Sequence, residues 1–207
     1  MTTKNILLAA AVLFLFNSAS RAEEMEKMES DTATTYGEYL SNEFGKTDGL
    51  QVKVEADPSK AVGLQAGGGG IIIVPTKGLK EGSEDPAADT ERGAPMAYLF
   101  MSQRFNPLKE GKPFDGKKLR TVDLADSGNK ATCLVLSARH IQDDEWQMYV
   151  YGADKKPIVS SQFFPAEEES DGPIGIHVQD PADGKATLVV TVFGKYEATL
   201  PIGHKFD

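Results

Sequence analysis

Trp146-Gln147-Met148-Tyr149-Val150-Tyr151 sets the pattern for the chain. Side chains of a strand point alternately to opposite faces, so Trp146, Met148 and Val150 share one side and Gln147, Tyr149 and Tyr151 the other. With the first side as core, two tyrosine rings and an amide stand on the far side, where rings can stack on a sugar or cover a partner.

The same two-residue period spreads outward from this stretch. Toward the N-terminus, Leu50, Val52 and Val54 alternate with Gln51, Lys53 and Glu55, and further strands are predicted over 70–74, 96–105, 118–125 and 131–139. Toward the C-terminus they recur over 158–164, 174–179, 186–193 and 196–202. Turn formers separate them, as in Asp57-Pro58-Ser59, Asp171-Gly172-Pro173 and Asp183-Gly184-Lys185. About ten short strands with little helical periodicity predict an all-β fold: an antiparallel two-sheet sandwich of immunoglobulin-like type, or else a barrel.

Two stretches interrupt the pattern. Gly67 to Gly70 precede Ile71-Ile72-Ile73-Val74. A phosphate-binding loop would need Lys-Ser or Lys-Thr after its last glycine and then a helix; a strand ended by Pro75 follows instead, so a turn into a buried strand is expected. Residues 80–95 carry Glu81, Glu84, Asp85, Asp89, Glu91 and Arg92 with no large apolar side chain, and read as a long polar loop within a domain spanning 50–207.

Ahead of that domain lie two further segments. Lys4, an apolar run from Ile6 to Phe16 and Ser20-Arg21-Ala22 compose a signal peptide over 1–22, with cleavage expected before Glu23. As a helix the run would rise only about 16 Å, half of what a bilayer requires, so no transmembrane segment is expected after cleavage and the product is placed in the periplasm or secreted. Residues 23–49 form an acidic arm, flexible, or helical for a short stretch where Tyr36, Tyr39, Leu40 and Phe44 share a spacing.

Charge and composition narrow the chemistry. Lys4 and Arg21 fall in the leader, leaving 20 basic against 31 acidic residues, a net of −11, which repels phosphates and argues against nucleic acid. Cys133 is the single cysteine, so no internal disulfide forms; between Thr132 and Leu134 it reads as a small buried hydrophobe.

His140, His177 and His204 are too widely spaced to seed a zinc site, and the acidic clusters at 167–171 and 180–183 match no calcium loop, so no metal or other cofactor is expected. No nucleophile motif is present. These observations favour an exported accessory protein of the cell envelope, without catalysis, that recognises a protein or glycan through an exposed sheet face, with Gln147, Tyr149 and Tyr151 as the binding residues, or through its loops. The alternatives are a secreted hydrolase with a site at the loop ends, and a barrel carrier with an internal apolar void.

Overall fold

The structure, a computed structural model, describes residues 25–80, 91–124, 128–142, 145–167, 170 and 172–204. The expected leader and residues 81–90 of the polar loop lie outside these. Along the chain run β1 (Glu26–Lys27), α1 (Ser30–Gly45), β2 (Val62–Ala66), β3 (Gly69–Pro75), β4 (Ala94–Ser102), β5 (Phe105–Lys109) and β6 (Lys112–Pro113). Next come β7 (Arg120–Asp123), β8 (Lys130–Gln142), β9 (Glu145–Tyr151) and β10 (Val159–Gln162). β11 (Phe164–Pro165), β12 (Ile174–Ala182), β13 (Lys185–Val192) and β14 (Tyr196–His204) complete them.

The strands build two antiparallel sheets, as the alternation predicts. The first has the order β1-β2-β3-β4-β8-β9-β10, with β7 on the same side of β8 as β9 but at its other end. The second has the order β12-β13-β14-β5-β6, and β11 also pairs with β14. Residues 159–165 serve both sheets, leaving β9 as β10 and reaching β14 as β11. Between those pairings, the Thr199 N–H donates to Ser161 Oγ at 3.1 Å.

Gly67-Gly68 is the two-residue turn of the β2–β3 hairpin: Ala66 pairs with Gly69, and both turn glycines have positive φ, 54° and 72°. This matches the right-handed twist of the strands it joins. Short Val62–Ala66, with Gly63 inside it, carried no strand signal, so the four-glycine run was legible only as a turn into β3.

Two cores share the first sheet as a common wall. Between the sheets, Ile71, Ile73, Leu99, Leu134, Leu136 and Met148 pack against Leu188, Val190, Leu200 and Ile202. On the outer face of the first sheet, Ile72, Val74, Tyr98, Phe100 and Cys133 pack against Leu40 and Phe44 of α1 and against Val52 and Val54. Coverage on both faces explains why Ile71-Ile72-Ile73-Val74 is apolar without interruption.

The arm is therefore helical and docked over Ser30–Gly45. Small residues make this possible: Ala33, Gly37 and Ser41 are buried, and a Cβ at Gly37 would lie 3.0 Å from Ala61 Cβ and 3.1 Å from Val74 Cγ2. The strand expected over Leu50 to Glu55 is absent. Its alternation survives as burial, Val52 and Val54 inward with Lys53 and Glu55 exposed, but the only bridge nearby pairs Ala56 with Thr76. No described helix is long and apolar enough to cross a membrane.

Cys133 is fully buried and unpaired, and burial pushes its thiol up from 9.0 to about 12. Iodoacetamide at pH 8 should leave it unmodified in the native chain and alkylate it in urea; rapid native labelling would contradict this packing. Burial raises Tyr98 and Tyr151 from 10.0 as well. The native chain thus holds more protons than the unfolded one above about pH 9, so stability is intact below that and falls as the pH climbs.

Candidate functional site

α1 covers the outer face of the first sheet over β3, β4 and the start of β8, and leaves it open toward β10. Register orders the side chains there into rows. Arg139 pairs with Gln147 and Gln147 with Gln162; in the next row Ser137 pairs with Tyr149 and Tyr149 with Ser160. At ordinary strand spacing each row runs about 10 Å across three strands. Gln162 and Ser160 are exposed, Arg139, Gln147 and Tyr149 half-buried, and Ser137 buried.

The guanidinium of Arg139 stands over the Tyr149 ring, its Cζ 6.0 Å from the centroid, with Nη1 3.5 Å from the phenol oxygen. This adds a cation–π attraction worth about 0.5–1 kcal/mol at an exposed site. Among the described residues, Arg139 forms no ion pair. The half-row of Arg139, Gln147 and Gln162 offers a charged planar donor and two amides beside one aromatic face.

The sequence placed Gln147, Tyr149 and Tyr151 together, and they do share one face. Tyr151 does not stand open there. It is 2 % exposed, within the core beneath the α1 layer, and its hydroxyl donates to the Arg92 carbonyl at 3.4 Å. Alternation gives the face but not what covers it, and the covering layer is supplied by residues far away in sequence. Tyr151 supports Tyr149 edge-on, ring centroids 6.3 Å apart.

Arg139 was missed as a member of the site, because the register that places it beside Gln147 is set by the β8–β9 pairing and its irregularity between His140 and Gln142. The Arg92 carbonyl also accepts from Ser137 Oγ at 2.6 Å, and the Arg92 guanidinium donates to the Gln51 carbonyl at 3.1 Å, so Arg92 pins the covering segment at the border of the open face.

The histidines sit elsewhere. His177 lies half-buried on β12 with Nε2 3.1 Å from the Gln179 amide, His140 tilts against Trp146 at 6.3 Å, and His204 ends β14. The described residues hold no group of three or more His, Cys, Asp or Glu placed to bind a metal ion. The chain matches no known protein-family model, no curated protein and no solved structure.

Proposed function

We propose that the chain is an exported accessory protein of the cell envelope, periplasmic or secreted, that binds a protein or glycan without catalysis. The contact surface is the open end of the first sheet, with Tyr149, Gln147 and Arg139 as the binding groups and Tyr151 as support beneath. The observation that carries this reading is the Tyr149 ring held under Arg139 beside two amides on paired strands. Tyr and Arg are the residue types that anchor recognition surfaces, because each combines a large contact area with directed polar groups. An immunoglobulin-like connectivity is the finer reading of the scaffold; its support is that the chain exchanges sheets after β4, after β6 and after β10.

The test is capture of partners from an envelope fraction, followed by titration of the captured partner. Tyr149→Ala should weaken binding by about 2 kcal/mol, some thirtyfold, while costing about 1 kcal/mol or less of folding stability. Undiminished affinity in Tyr149→Ala would move the contact surface elsewhere.

A further inference from the structure

On the same face as Tyr149, but over β3, β4 and the start of β8, a groove of about 470 Å³ runs between α1 and the sheet. It follows from how α1 packs. The small stripe of Ala33, Gly37 and Ser41 lies against the sheet, and the next stripe, Thr32, Tyr36 and Leu40, spaced four residues apart, overhangs it. The floor is Ile72, Phe100 and Ala131, all on the outer face of the sheet, and the Gly67-Gly68 turn closes one end with bare backbone. Met28 lies across Gly63 and Gly70, where added Cβ atoms would meet its side chain at 2.9 Å and 3.2 Å.

We infer that this groove binds a single uncharged hydrocarbon chain, the acyl or alkyl part of an amphiphile. Its size falls within the range of small-molecule sites, about 300–1,000 Å³. Not one charged side chain occurs among the described residues that line it, although 26 % of the chain is charged. A charged group would therefore lose its water here with nothing to replace it.

A peptide is the less suitable occupant for a related reason. The floor is a sheet face, with β3 paired on both sides by β2 and β4, and β4 by β3 and β8, so no free strand edge meets a peptide backbone. Of the polar rim groups, Ser102 Oγ already accepts from the Gly70 N–H at 3.1 Å. A hydrocarbon chain asks for no such partners. Met28 is an unbranched thioether that repacks around chains of differing length. Tyr36, 50 % exposed on the lip, is positioned to cover the occupant's outer side.

The test uses the full chain with cis-parinaric acid, which fluoresces when its chain leaves water. Saturable enhancement is expected, with 1-decanol as a competitor. Thr32→Trp from the helix and Gln65→Trp from the sheet each fill the groove from its rim without removing a buried side chain, and each should weaken binding at least tenfold. Tyr149→Ala should leave it unchanged, which separates this site from the surface proposed above. Absence of saturable enhancement, or unaltered affinity in whichever rim variants fold, would overturn the assignment. Binding of a neutral leucine-rich peptide in place of cis-parinaric acid would overturn it too, giving the groove to a protein partner.

Discussion

Phe44→Ala is expected to cost about 3–5 kcal/mol of folding stability, read as a lowered urea midpoint. Phe44 is 1 % exposed and meets Tyr98 and Phe100 edge-on, with ring centroids 5.0 Å and 6.0 Å apart. Truncation removes the large ring from the last turn of α1 and opens a cavity against two aromatic neighbours that are fixed in a central strand and cannot collapse into it. The Tyr98 hydroxyl is bonded to the Val54 backbone, so the loss spreads to the segment that covers the sheet beside the helix. A cost below 1 kcal/mol would mean that the helix is not held by this ring.

Gly93→Ala should be comparably damaging for a different reason. Gly93 has φ +74°, a left-handed conformation that costs an ordinary residue about 1–2 kcal/mol. An added Cβ would also stand 2.4 Å from the Ala138 carbonyl oxygen, which is backbone in a paired strand and cannot swing aside. Relief requires moving the chain at Arg92, whose carbonyl holds the hydroxyls of Ser137 and Tyr151. Buried Ser137 would then be left without its acceptor, a further cost of about 1–3 kcal/mol. Urea unfolding of Gly93→Ala should show this loss, whereas Gly116→Ala, whose Cβ meets nothing within 4 Å, should stay within about 0.5 kcal/mol of the parent. Equal stability of the two variants would refute the close approach at Gly93.

Where one face of a strand is wet, the amino-acid pattern was sufficient to read it. Met148 and Val150 go inward and Tyr149 outward because only one side of β9 is fully covered near its start. The pattern is silent where both faces are covered, as at Ile71 to Val74, because an unbroken apolar run names no direction. It misleads at Leu50 to Glu55, where two valines are buried in alternation by packing alone and no ladder forms. α1 was hard to read because its contact side is small rather than greasy: Ala33, Gly37 and Ser41 lower the apolar content that would mark a docked helix, yet they permit the close approach. Of the candidate site, Gln147 and Tyr149 were legible from alternation. The covering of Tyr151 and the stacking of Arg139 depend on pairing between segments, which a local period does not encode.

The ends of the two sheets are blunted in ways that bear on crowding. β1, β6 and β11 are each two residues long, β6 and β11 each include a proline, and β10 is four residues long. The one long border strand, β12, carries Pro181 and an irregular register between Gln179 and Ala182. Proline has no N–H to offer, and a bulge breaks the straight row of donors and acceptors that another molecule would copy. Among the described residues, the borders of the two sheets thus offer little template for the strand of another molecule to copy.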